Sequence, residues 1–375
     1  MTSKYINVIE LDDSGSTCVV SSGLVPLPGG AMPNLLINGN FSVAQRGTSF
    51  DSTTSPANDD DTYLLDRWVL LSDGDDIVDV DQVETASDLP TGAAAAIKYT
   101  WETANKQAGL LQIIEGINAR PAIGGTVSLS FQAKGSGLEN LRAAVLSWDS
   151  AEDSVTSDVV ATWAGDGTNP TFATNWTAEN TPSDLALSTS WQTFTIEGVD
   201  IDTSSMTNVA VFIWLDDTDV AVDDTLFVTN VKLEVGEAAT PFVPRSYGDE
   251  LALCQRYFVK TFRQNVVPAQ NTNDYNGSLR VYATSSMEPV TVWKLPVSLR
   301  KSPADTASGY PASDEVQLYA VDQFATANQW SSTGNTLSNA RSIQNSEIVV
   351  AFDNGGSAAT ATAQWYIHAT VDVEL

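Results

Sequence analysis

Alternating apolar and polar residues, strand-length apolar runs bounded by turn residues, and a Pro- and Gly-rich opening predict an all-β protein: two antiparallel β-sandwich (jelly-roll-like) domains joined by a short helix, with an extended N-terminal arm. The period of two is plainest in "TVSLSFQAKG", where Val127, Leu129 and Phe131 alternate with Ser128, Ser130 and Gln132. Turn residues gather in "SDGDD", "AGDGTNP" and "DDT" between the runs. At 375 residues, of which 42% are hydrophobic, the chain is long enough for two or three buried cores.

Residues 1–33 read as a docking arm. "KYINVIEL" supplies Tyr5, Ile6, Val8, Ile9 and Leu11, and "GLVPLPGGAMP" then stops regular structure. So apolar a segment with no core of its own is expected to dock on another protein or subunit. Residues 34–242 read as the first sandwich. "WQTFTIEGV" places Phe194 and Ile196 on one face. "NVAVFIWLDD" is apolar on both, with Val209, Val211, Ile213 and Leu215 on one side and Ala210, Phe212 and Trp214 on the other. The polar, turn-rich stretch 151–190 is expected to form a long excursion or an extra hairpin at one end of the sandwich.

Residues 243–258 read as a linker and a junction helix. Ser246 and Asp249 form a capping pair. Leu251, Cys254, Tyr257 and Phe258 fall on one stripe, and Arg256 sits near the C-terminal end, where the helix dipole favours a cation. A helix this short needs a neighbour, so the stripe is expected to pack between the two β domains or against its copies in an oligomer. Residues 259–375 read as a C-terminal antiparallel β domain built from "SLRVYATS", "VTVWKLPVSL", "EVQLYAVD", "SEIVVAF" and "QWYIHATVDVEL". The proline in "KLPVSLRKSP" marks an edge strand or bulge followed by a loop. His368 falls on the polar face of the last strand, in a structural role.

The charge excludes several function classes. With 47 acidic against 18 basic residues the net charge is −29, which repels phosphate backbones and anionic lipid, so neither nucleic acid nor a membrane surface is expected as a partner. No apolar run is long enough to span a bilayer. The opening "MTSKYINVIELDDSG" has no secretory-signal pattern, so the protein is expected to be made in the cytoplasm. Cys18 and Cys254 are expected as free thiols.

No catalytic residue, metal or cofactor is expected. A single histidine rules out His-rich zinc and iron sites, "GDGTNP" lacks the lysine of a phosphate loop, and no "GxSxG" elbow occurs. Carboxylate pairs are too common in so acidic a chain to mark a glycosidase. The Asp-rich turns at Asp73, Asp75 and Asp76, and at Asp216, Asp217 and Asp219, read as solvated loops. Trp101, Trp148 and Trp214 share faces with apolar neighbours and read as core. Trp163, Trp176 and Trp330 lie in polar, loop-like surroundings, which makes them the candidates for stacking on a glycan or for a subunit interface.

Two stretches carry a resemblance. "NLLINGNFSVAQRGTSF" (34–50) with "YLLDRWVLL" (63–71) resembles the opening of a β-sandwich domain in bacteriophage tail-fibre and virion structural proteins. "VTNVKLEVGEAATPFVPRSYGDELALCQRYF" (228–258) is similar to the close of that domain with its following helix, and "VWKLPVSLRKSP" (292–303) to a segment found after such helices. The first domain is also similar, more loosely, to the jelly-roll carbohydrate-binding modules of glycan-degrading enzymes, through its "NLLxNG" opening, "QIIEGI…LSFQAKG" and "WQTFTI". Those modules carry a structural calcium; here Ser42 and Thr229-Asn230 stand where its carboxylates would be, so that site is not expected. The resemblance implies a non-enzymatic virion protein of the fibre or spike type. It would be attached to other virion proteins through its arm, homotrimeric, and directed at host-surface polysaccharide. A capsid-decoration or head-fibre protein is the alternative, and a polysaccharide-degrading virion enzyme the second.

Overall fold

The computed structural model describes residues 31–264, 266–269, 272–283, 290–303, 315–321, 339–344, 346–351 and 363–375. The arm residues Tyr5, Ile6, Val8, Ile9 and Leu11, together with Trp330, lie outside them. The described chain forms antiparallel sheets arranged as two β-sandwich-like bodies.

The first body pairs two sheets. One runs in the order Ser49–Phe50, Val78–Val83, Ala96–Trp101, Thr225–Val235, Thr126–Ser136, Gln192–Asp200. The other runs Trp176–Ala178, Asn140–Trp148, Asn208–Leu215, Ala108–Ile114, Val69–Ser72, Thr62–Tyr63, with Leu185–Ala186 also paired to Asn140–Trp148. Their inner faces interdigitate. Val127, Leu129, Phe131, Tyr99 and Trp101 from the first meet Val145, Val209, Val211 and Ile213 from the second.

The outer faces differ. On the first sheet the outward-pointing Lys98, Gln132, Lys134 and Phe227 are only half-buried, whereas Ser128, Ser130, Lys232 and Glu234 farther along the same strands are buried. This is the open sheet. On the second, Leu111, Ile113, Ala210, Phe212 and Trp214 are fully buried. Residues 151–190 do this. Their hairpin of Val160–Thr162 and Thr171–Phe172 and the strand Trp176–Ala178 lay Val159, Val160, Phe172 and Trp176 over that face, making a second core. The excursion therefore lies across a face and not at one end, because an outward surface of Phe and Trp gains more from burial than from water.

The junction helix is Tyr247–Gln255, shorter than the stripe implied. The Ser246 hydroxyl caps it, accepting from the Asp249 backbone N–H and donating to the Asp249 carboxylate. Tyr257 and Phe258 lie past its end: Tyr257 closes a final turn on the Cys254 carbonyl, and Phe258 opens the strand Phe258–Lys260. The helix is seated on the first body, and its end meets the second, where Arg300 and Val373 donate to the Arg256 and Tyr257 carbonyls. Cys254 and Tyr257, flanked by Leu251 and Leu253, pack on Ile37 and Val43 of the first body's opening segment. Burial, with Asp66 and Glu250 nearby, holds the Cys254 thiol well above its usual range. In a Cys18→Ser chain, a water-soluble thiol reagent is expected to leave Cys254 unmodified until denaturant is added; rapid labelling in native buffer would contradict the seat.

In the second body, Ala363–Asp372 pairs with Phe258–Lys260, Leu279–Ala283 and Val316–Ala320. Glu347–Ala351 lies between Val290–Lys294 and Asn339–Gln344. Val290–Lys294 is an edge strand that stops before Pro296, as the proline requires. Val259, Trp293, Leu299, Ile367, Ala369 and Val371 form the core. His368 is not on an exposed polar face. It is fully buried, with Nδ1 at 2.9 Å from Thr261 Oγ1, Nε2 at 2.7 Å from the Asp274 carbonyl, and its ring stacked 4.0 Å from that of Phe262. Desolvation lowers its proton affinity. Its role is structural.

Candidate functional site

Strand register gathers one row of side chains across the open sheet. Lys134 pairs with Phe227, Phe227 with Lys98, Lys98 with Asp81, and Asp81 with Ser49. Trp191, just before the strand Gln192–Asp200, completes the row beside Lys134. The Lys134 ammonium lies 5.2 Å from the Trp191 ring centroid and 4.5 Å from that of Phe227. The two rings meet edge-on at 6.3 Å. Trp191 Nε1 donates to the Asp88 carbonyl at 2.9 Å, which fixes the ring. Two residues along the strand, Gln132 accepts from Asn230 Nδ2 at 2.7 Å and lies against Thr193. The face thus offers two aromatic rings, amides, hydroxyls and a lysine with no carboxylate partner among the described residues. Sequence inspection missed Trp191, Lys134 and Phe227 as a group, since only the register of strands nearly a hundred residues apart aligns them.

A second feature lies where the two bodies meet. Arg46 and Arg67 of the first body receive the chain after Ala363–Asp372. Arg46 Nη2 bonds Asp372 at 2.7 Å and Glu374 at 3.3 Å, and Arg67 Nη1 bonds Glu374. Arg67 Nη2 also donates to the Ile113 carbonyl at 2.6 Å, and its guanidinium lies 3.6 Å from the centroid of the Tyr257 ring. Glu115 accepts from Arg256 at 2.7 Å and from the Tyr257 hydroxyl at 3.0 Å. Arg256 is therefore an ion-pair partner across the joint as well as the residue that ends the helix. Burial acts to lower the proton affinity of Arg46 and Arg67, but the carboxylates beside them outweigh it and hold both charged. Burial raises the Glu374 carboxyl, with Arg67 and Arg46 opposing.

Beside this clasp opens a cleft of about 270 Å³. Tyr63, Phe258 and Tyr319 give it aromatic walls, and Arg46, Asp61, Gln317 and Asp372 line it with polar groups. Tyr63 donates to the Leu375 carbonyl at 2.8 Å and Tyr319 to Gln317 Oε1 at 2.6 Å. The Arg46 guanidinium sits 4.0 Å over the Phe258 ring, and its Nη1 is buried without a hydrogen-bond partner. Asp61, exposed at the rim, is pushed up to about 6, chiefly by partial desolvation from the protein beside it and also by the neighbouring Asp158 and Asp60 charges.

The structure relocates the tryptophan candidates. Trp176 is only 5% exposed; it packs 5.2 Å from Trp148 and donates to the Thr156 carbonyl, so it presents no free face to a ligand. Trp163 is half-buried, 6.0 Å from Phe212 on the same covered face. The two serve the second core, and they do not converge on the open row or the cleft. Among the described residues no three carboxylate, thiol or imidazole groups converge as a metal site. The Asp-rich turns are used internally: Asp216 accepts from Arg142 and Gly167, and Asp217 from the backbone of Glu139 and Asn140.

No protein-family model matches the chain, and no curated protein matches it. Among solved structures, the enzymatically active domain of tailspike protein 4 of bacteriophage CBA120 is similar at 12% identity and a TM-score of 0.33, over 54% of this chain and 21% of that one. The match thus spans about a fifth of the tailspike chain's length. The carbohydrate-binding module TmCBM61, solved with β-1,4-galactotriose, is similar at 14% identity and a TM-score of 0.31, over 54% of this chain and 99% of that one. A putative sugar-binding protein from Bacteroides thetaiotaomicron is similar at 12% identity and a TM-score of 0.33, over 54% and 100% of the two chains.

Proposed function

We propose that the protein is a non-enzymatic bacteriophage virion component of the fibre or spike type that binds host-surface glycan on its open sheet. The observation that carries the binding role is the asymmetry of the first body. One outer face is sealed by residues 151–190, while the other leaves the row Trp191, Lys134, Phe227, Lys98 half-exposed. Aromatic rings stack on the C–H faces of sugars, and the amides and hydroxyls beside them suit sugar hydroxyl groups. Lys134 favours a glycan with anionic substituents, which the chain's overall −29 charge otherwise repels. The virion role is supported by the resemblance of residues 34–303. In this reading the arm, residues 1–33, attaches the protein to other virion proteins, and three copies assemble.

Gel retardation in soluble bacterial surface polysaccharides, acidic and neutral, tests the reading. Retardation is expected with at least one acidic polymer. Trp191→Ala should weaken it about tenfold, roughly 1.4 kcal/mol, with no release of reducing ends. No retardation with any polymer, or retardation indifferent to Trp191→Ala, would overturn the assignment of the face.

A further inference from the structure

The cleft between the two bodies is independent of the open sheet and built differently. Arg46 lines its inner side, 4% exposed, with Asp372 and Glu374 bonded to its Nη2 and the guanidinium laid on the Phe258 ring. The walls above it are rings, Tyr63 and Tyr319 half-buried and Phe258 buried. The rim carries acceptors and donors, Asp61 and Gln317, both exposed to an arriving ligand.

The volume, about 270 Å³, lies just below the usual range for small-molecule sites and suits a single ring and not a long chain. The charges choose among such ligands. Asp61 and Asp372 repel a carboxylate or phosphate, while Arg46 on the inner side opposes an ammonium group. What remains is an uncharged ring with an apolar face for the aromatic walls and hydroxyl groups that donate to the carboxylates and bond the Gln317 amide. We propose that this cleft is a second carbohydrate site, which seats one neutral pyranose residue between the two β bodies. Because both bodies contribute walls, a bound sugar braces the joint as well as occupying it.

The test uses the full chain carrying Trp191→Ala, so that the open face does not contribute. Glucose, galactose and mannose are titrated singly by saturation-transfer NMR, with thermal unfolding followed in parallel. At least one sugar is expected to bind saturably, with a dissociation constant on the order of 1 mM, and to raise the unfolding temperature. Adding Tyr319→Ala or Gln317→Ala should weaken that binding about tenfold. Gln317 is exposed, so its variant keeps the fold and decides the outcome should Tyr319→Ala disturb it. Failure of all three sugars to bind saturably overturns the proposal, and so does binding that Gln317→Ala leaves unchanged. Neither result bears on the open sheet, which is tested by polysaccharide retardation in the chain with Trp191 intact.

Discussion

Glu374→Ala lowers the stability of the chain by about 3–5 kcal/mol, the usual cost of removing one partner from a buried ion pair. Glu374 is 5% exposed and stands between Arg67, 1% exposed, and Arg46, 4% exposed. Its loss leaves two guanidinium groups in low dielectric, with only Asp372 and the more weakly acting Asp66 to answer them. Because the carboxylate belongs to the second body and both arginines to the first, the damage falls on the joint. Guanidinium titrations followed by far-UV circular dichroism and by tryptophan fluorescence coincide for the wild type and separate in the variant, as the bodies begin to unfold independently. Glu374→Gln keeps part of the hydrogen bonding and costs less. A loss below about 1 kcal/mol for the alanine variant would place the ion pair among those that contribute little.

Trp214→Ala costs about 3–5 kcal/mol by opening a cavity in the second core. The indole is fully buried, stacked 4.8 Å from the Phe212 ring at an interplanar angle of 13°. Phe172, from the covering hairpin, meets it edge-on at 6.4 Å. The residues that rest on it, 151–190, should become cleavable by a protease before the remainder of the first body. Trp214→Phe should cost markedly less, because the indole N–H is buried without a partner and the smaller ring abandons no hydrogen bond. Equal losses for the two variants would mean that the N–H has a partner, such as a buried water, and that the packing argument is incomplete.

What could be read from the sequence was local alternation. Val209, Val211, Ile213 and Leu215 do face the sandwich core, and Ala210, Phe212 and Trp214 the second one, as a run apolar on both sides requires. The Ser246 cap was equally legible, since it depends on a residue three positions away. What covers the second face was not. Residues 151–190 look polar because few of their side chains point inward, and Trp176 among "TNWTAEN" resembles an exposed ring until its pairing with Trp148 is known. The helix was drawn too long because Tyr257 and Phe258 continue the stripe, although Phe258 is claimed by pairing with Asp372. Neither the clasp nor the open row was visible. Arg67 and Glu374 are 307 residues apart, and the row depends on cross-strand register, which no short-range pattern encodes.

The strand Thr225–Val235 occupies the middle of the open sheet, between partners that precede it by roughly a hundred residues. Vectorial synthesis therefore delivers Ala96–Trp101 and Thr126–Ser136 long before the element that must slot between them. Until then each has a vacant hydrogen-bonding edge facing the other across a gap. A ribosome-bound nascent chain of this protein is thus obliged to keep two half-sheets apart, without premature zippering, for the whole time it takes to make the intervening strands and the excursion that seals the opposite face.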